Sequence, residues 1–93
     1  MQSGHRNRTQ NLEIRWCPNH LGHPRVGLVI PLYGATKVDR NQLRRRLREI
    51  LRRRILPRMP ALDLVLRSRA QAYRAGFQDL ANDLEKWLLS ISQ

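Results

Sequence analysis

The sequence predicts an α+β fold: a small two-layer α/β sandwich with a strand–strand–helix–strand–helix core. Three observations point there. Asn11–Trp16 and Arg25–Ile30 alternate apolar with polar residues, as half-buried strands do. The segments 39–56 and 77–91 place apolar residues at helical spacing. Between them lies Leu62-Asp63-Leu64-Val65-Leu66, a short bounded run that reads as a third strand, although periodicity alone also allows a helical turn. Helices with one apolar stripe each must bury it, and a sheet with helices packed against it is the simplest solution. At 93 residues and 41% apolar composition there is room for one domain with a modest core.

Taken in order, residues 1–10 are polar and aperiodic and read as a flexible arm or an edge strand, with a single domain over 11–93. Leu12, Ile14 and Trp16 share one face of the first strand, which Pro18-Asn19 ends. After a link through His20, Gly22 and Pro24, Val26, Leu28 and Ile30 share a face of the second, and the two are expected to pair as a hairpin. Pro31 stops that strand, and Tyr33-Gly34-Ala35-Thr36 makes a loop. Asp39 is the expected helix cap, with Gln42 completing a capping box, and Pro57 and Pro60 close the helix near Leu56. In the last helix Phe77, Leu80, Ala81, Leu84, Trp87, Leu88 and Ile91 form the apolar stripe, with Phe77 and Trp87 expected in the core.

Charge narrows the function. Eighteen Lys and Arg against seven Asp and Glu give +11, which favours a polyanionic partner, nucleic acid before an acidic membrane surface. Aromatic residues are only 5%, thin for serial base stacking, so backbone and shape recognition are favoured. One cysteine, Cys17, excludes an internal disulfide and fits a reducing, cytoplasmic setting. No apolar run is long enough to span a bilayer, and no charged-then-apolar leader opens the chain.

The first helix carries the strongest signal. Leu43, Leu47, Ile50, Leu51 and Ile55 share one arc, while Asn41, Arg45, Arg48 and Arg52 line the opposite one. Arg44 sits on the border, one turn after Arg40. Planar guanidinium forks in a row suit phosphate oxygens, which they bind bidentately. Gln42, Arg46, Glu49 and Arg53 make a third, mixed face, where Glu49 and Arg53 can pair. The bland reading is a solvated face on a basic protein, but the Asn41–Arg52 line excludes acids, which argues for RNA contact. Arg52-Arg53-Arg54 equally complements the helix dipole. Tyr33, in the preceding loop, is the aromatic placed to stack on a base. Arg15, Arg25 and Arg67 either extend the positive surface or serve as edge charges. His20, His23, His5 and Cys17 lack the spacing of four convergent metal donors. No nucleophile elbow, paired-carboxylate site or phosphate-cradling glycine loop is present, so no catalytic residue is assigned.

With these elements placed, the chain resembles the protein subunit of bacterial ribonuclease P. Arg25-Val26-Gly27-Leu28-Val29-Ile30 is similar to the family's "RVGL-V" strand, and Arg40-Asn41-Gln42-Leu43-Arg44-Arg45-Arg46-Leu47-Arg48-Glu49 to its "RNR-x-(K/R)-R-x-x-R-E" helix. Leu62–Leu66 is similar to its "LD-VV" strand, and order and spacing agree over residues 11–91. There are two departures. Gln42 stands where the family carries arginine, and the family's N-terminal aromatic-bearing helix has no counterpart ahead of the first strand. In the family that helix forms one wall of the cleft holding the 5′ leader of precursor tRNA, so the resemblance supports contact with the catalytic RNA through the basic helix more directly than contact with precursor tRNA at its leader.

The resemblance implies that the protein binds the catalytic RNA, which hydrolyses precursor tRNA using Mg²⁺ held mainly by the RNA and none by the protein alone. It implies that Arg40, Asn41, Arg44, Arg45 and Arg48 match positions that contact the RNA subunit or the leader and nearby metal ions, to which the residue reading adds Gln42, Arg52 and Tyr33 as RNA-binding residues. It also implies a left-handed strand–helix–strand crossover, against the usual right-handed rule. A general structured-RNA or ribosome-associated protein is the alternative, and an adaptor for anionic lipid or acidic protein a third reading. The apolar stripe, committed to a core, opposes the last, so no membrane partner is expected. An uncovered sheet face would permit self-association.

Overall fold

The structure, a computed structural model, describes residues 4–91. Its elements are β1 (His5–Arg8), β2 (Leu12–Pro18), β3 (Arg25–Val29), α1 (Lys37–Ile50), β4 (Leu62–Ser68) and α2 (Phe77–Ile91). A π-helical turn over Leu51–Ile55 and a 3₁₀ turn over Leu56–Arg58 prolong α1, and a further 3₁₀ turn spans Ala70–Arg74. The four strands form one sheet in the order β1-β2-β4-β3.

Both helices lie on the same side of that sheet. Leu12 and Ile14 of β2, with Leu62, Leu64 and Leu66 of β4, form one cluster with Leu43, Leu47 and Ile50 of α1 and with Leu80, Leu84, Trp87 and Leu88 of α2. Alternation along each strand dictates this, since residues two apart share a face and the large apolar residues concentrate on one of them. In β4 the pattern is complete: Leu62, Leu64, Leu66 and Ser68 are buried, while Val65 and Arg67 are exposed. β1, whose side chains are all exposed, pairs antiparallel with β2, so the segment 5–8 forms the edge of the sheet.

The expected hairpin does not form. β2 and β3 are separated by β4, which runs antiparallel to β2 and parallel to β3. β4 is the better central strand, because its whole inner row is buried leucine and serine, whereas Val26 and Leu28 of β3 are only half-buried. A parallel β3–β4 pair requires a crossover, and α1 supplies it.

Helix α1 begins earlier than expected. Thr36, not Asp39, is its N-cap: the Asp39 N–H donates to Thr36 Oγ1 at 3.1 Å, and the Thr36 N–H donates to Asp39 Oδ2 at 3.2 Å. Both residue types cap well, but a box needs a carboxylate or amide three residues on, and Thr36–Asp39 satisfies it one turn sooner. Gln42 therefore has no capping role. The helix also does not run regularly to Leu56. The wide turn from Leu51 keeps Leu51 and Ile55 buried, and Pro57 lies in the 3₁₀ turn that follows. Phe77 is not a core residue. It is the first residue of α2, remains 37% exposed, and places its ring 5.6 Å from the Arg54 guanidinium carbon. Trp87, by contrast, is buried and meets Trp16 edge-on at 6.2 Å.

Loops are fastened by polar contacts. Thr9 Oγ1 and Asn11 Nδ2 donate to Asp83 Oδ2 at 2.9 and 3.0 Å, and the Leu12 N–H donates to Thr9 Oγ1 at 2.9 Å. Arg69 Nη1 donates to the Thr9 carbonyl at 2.8 Å. These tie the β1–β2 turn to α2 and to the end of β4.

Candidate nucleic-acid interface

The inward stripe of α1 fixes what its other faces can do. With Leu43, Leu47 and Ile50 fully buried, the helix cannot roll, and Asn41, Arg45, Arg48 and Arg52 all stand exposed on the outward side. Among the described residues Arg45 and Arg48 take part in no hydrogen bond or ion pair through their side chains, and neither does Arg46 on the adjoining face. Their guanidinium groups are therefore available to external acceptors. Cations held this close repel one another, which costs stability unless an anion intervenes.

Arg52 differs from the rest of the row. Its Nη2 lies 3.1 Å from Glu49 Oε2, and Arg53 ion-pairs with the same carboxylate. The hydrogen bond from Arg52 is the chief reason the Glu49 carboxyl titrates below its usual range. The expected Glu49–Arg53 pair is thus present, but shared. Gln42 is exposed on the flank of the helix rather than in the row. Arg40 and Arg44 are half-buried at the border, and Arg40 Nε is buried without a partner among the described residues.

Tyr33 sits apart from the arginine row, in the loop that leads into α1. It adopts φ 50° and is followed by Gly34 at φ 85°, a left-handed turn that bulky residues rarely enter. Its hydroxyl donates to the Ser68 carbonyl at 3.2 Å, leaving half of the ring exposed. Behind it, the Tyr73 hydroxyl donates to the Pro31 carbonyl at 2.7 Å, and burial raises that phenol above its usual value, with Arg40 opposing. Tyr33, Tyr73 and Arg74 line a shared hollow of about 380 Å³.

A second cationic surface lies on the open face of the sheet. Register places Arg6 beside Arg15 and Arg8 beside Glu13, with Glu13 paired to Arg67 across β2 and β4. All point away from the helices. Arg15 and Arg67 were candidates from sequence; Arg6 and Arg8 were missed, although the alternation in His5-Arg6-Asn7-Arg8 was the available signal. Arg25 is not free to join them. Its Nε and Nη2 each donate to Asp63 at 2.8 Å, and that fork, with a bond from Asn19, holds the Asp63 carboxyl down at about 2.

Among the described residues no group of three His, Cys, Asp or Glu could hold a metal ion. Magnesium takes oxygen donors. Beside the exposed Asn41 amide oxygen, the α1 row offers guanidinium groups, and the two carboxylates of the helix are engaged in its cap and its ion pairs. No helix among the described residues is long and apolar enough to cross a membrane.

The family model described as Ribonuclease P matches residues 1–92. The chain belongs to the ribonuclease P protein family. It is 39% identical over 88 residues to the ribonuclease P protein component of Thermus oshimai, covering 95% of this chain and 55% of that one. It is 44% identical over 59 residues to that of Idiomarina loihiensis, covering 62% and 46%. The chain spans about half the length of the curated ribonuclease P protein components it matches. Among solved structures it resembles the RNase P protein of Thermotoga maritima (TM-score 0.81, 23% identity, 94% of this chain and 83% of that one). It also resembles that of Staphylococcus aureus (0.81, 22%, 99% and 84%). At these identities the likeness concerns the fold, including the α+β sandwich expected from sequence.

Proposed function

We propose that this chain serves as the protein subunit of ribonuclease P, binding the catalytic RNA through the outward row of α1 and supporting removal of 5′ leaders from precursor tRNA. The observation that carries this reading is the set of exposed, unpaired guanidinium groups of Arg45 and Arg48 on a helix whose opposite face is locked in the core. Arg40, Asn41, Gln42, Arg44 and Arg52 extend the contact, and Tyr33 supplies a stacking surface at its end. The protein would neutralise crowded phosphates and lower the Mg²⁺ concentration needed by the RNA, which holds the metal and performs the chemistry. Such a protein works in the cytoplasm, where precursor tRNA is made. The open sheet face, with Arg6, Arg8, Arg15 and Arg67, favours a polyanion over a second copy of itself.

The test is reconstitution with a bacterial ribonuclease P RNA, assaying precursor-tRNA cleavage at low Mg²⁺. Stimulation is expected, and it should be lost with Arg45→Glu plus Arg48→Glu. Affinity should fall steeply with salt, because each neutralised phosphate releases condensed counterions. Failure of the unmodified protein to stimulate, or equal affinity for unrelated structured RNAs, would overturn the reading in favour of a general RNA-binding role.

A further inference from the structure

Beside the arginine row lies an apolar groove that phosphate binding does not explain. It holds about 540 Å³ and runs between β3 and the end of α1. Its floor is aliphatic: Val26 and Leu28 from the inner face of β3, with Leu51 and Leu56 from the helical turns beyond α1. Its rim is formed by Arg44 and Arg48, joined at the far end by the Glu49-bound Arg52. The floor stays uncovered for a topological reason. β3 is the last strand of the sheet, so Val26 and Leu28 have no neighbouring strand on their outer side and remain half-buried.

A ligand for this groove must be flat and apolar on one side and anionic on the other. An unstacked nucleotide has that form: the base presents apolar faces to the floor, and its phosphates meet the rim. Arg44 and Arg48 are four residues apart, about 6 Å along the helix axis, so they can hold successive phosphates of one strand. The outer edge of β3 adds unpaired backbone N–H and C=O groups, which can bond the polar edge of any base. A duplex would keep its bases stacked and leave the floor empty.

We propose that the groove between β3 and α1 seats one unstacked base of a single-stranded RNA segment, with Arg44 and Arg48 on its flanking phosphates. The inference rests on the reading of α1 as an RNA-contacting helix and assigns that helix a base-holding function besides its electrostatic one. Contact with the floor, not with the arginines, separates the two.

The experiment titrates methyl-labelled protein with a short oligouridylate and with an abasic ribose-phosphate strand of equal length, following the methyl signals of Val26, Leu28, Leu51 and Leu56. The floor methyls should shift with the base-bearing strand alone, which should bind ~5-fold more tightly than the abasic one, as expected for roughly 40 Å² of apolar surface taken out of water at about 25 cal/mol per Å². Leu56→Asn should bring that ratio close to one. Because both strands are compared on the same variant, any loss of folded protein cancels from the ratio. Equal shifts with both strands, or larger shifts with an acidic peptide of matched charge, would overturn the proposal and leave the arginine row intact. If neither strand binds, the RNA-contacting reading of α1 fails and the groove proposal fails with it. Stimulation of cleavage remains an independent readout of the former.

Discussion

The two helices press equivalent apolar stripes onto the same sheet, yet their outer faces are opposites. Helix α1 carries Lys37, Arg40, Arg44, Arg45, Arg46 and Arg48 against Asp39 and Glu49; α2 carries Asp79, Asp83 and Glu85 against Lys86. The acids of α2 are all employed within the protein. Asp83 receives Thr9 and Asn11, Asp79 accepts the Gly76 N–H at 3.3 Å, and Glu85 faces Arg54 and Arg58 at 3.9 and 3.7 Å. Among the described residues the central cations of α1 have no such employment. Charge that satisfies itself inside a fold serves stability, whereas charge left unsatisfied on a rigid support is available to a partner.

That contrast can be broken from either side. The largest effects should come from what the helices share. Leu47→Ala and Leu84→Ala each empty a fully buried site and should cost about 2–5 kcal/mol in urea unfolding. A much smaller loss for Leu47 would mean that α1 is not anchored to the sheet. Next comes Asp83→Ala, which strands two donors at the β1–β2 turn and should cost about 1–3 kcal/mol while leaving RNA affinity unchanged. On α1 the pattern should invert: Arg45→Glu plus Arg48→Glu abolishes RNA binding but changes the unfolding free energy by no more than ~1 kcal/mol, about 0.5 for each surface substitution. Destabilisation of several kcal/mol would show that these arginines are structural after all.

The smallest effect concerns pH and lies on the open sheet face. Arg25 and then Asn19 hold the Asp63 carboxyl at about 2, below its usual 3.8. A depressed carboxylate contributes stability that is complete above the ordinary value and disappears as pH falls from 3.8 towards 2. Asp63→Asn should therefore lower the urea midpoint slightly at neutral pH, and the difference should vanish below that window. A deficit that persists in acid would assign the effect to packing, not charge.

Much of this molecule was legible because its helices and strands are strongly periodic. The arc of Leu43, Leu47, Ile50, Leu51 and Ile55 and the arginine row opposite it follow from 3.6-residue spacing, and both lie as expected. Strand neighbours were not legible. Alternation says which face of Val26 and Leu28 is buried but not which strand lies beside them, and local sequence favoured a hairpin over a crossover. Phe77 was misplaced because spacing alone cannot tell a helix's first residue, set at the rim beside Arg54, from one in its middle. The choice between Thr36 and Asp39 as cap turned on where the first turn closes, which two good capping residues three apart leave ambiguous. The β3–α1 groove could not be foreseen, since it depends on β3 being an edge.

The π-helical turn at Leu51–Ile55 determines where the cationic row stops. Past Arg52 the cations no longer line the row: Arg54 and Arg58 face Glu85, and Arg54 also lies over the Phe77 ring. Removing one residue there would rotate everything downstream by about 100°, turning Arg54 and Arg58 away from Glu85 and uncoupling the end of the rod from its neighbour. Where the cationic row ends is thus a matter of helical phase, and arginine number alone is a poor guide to it.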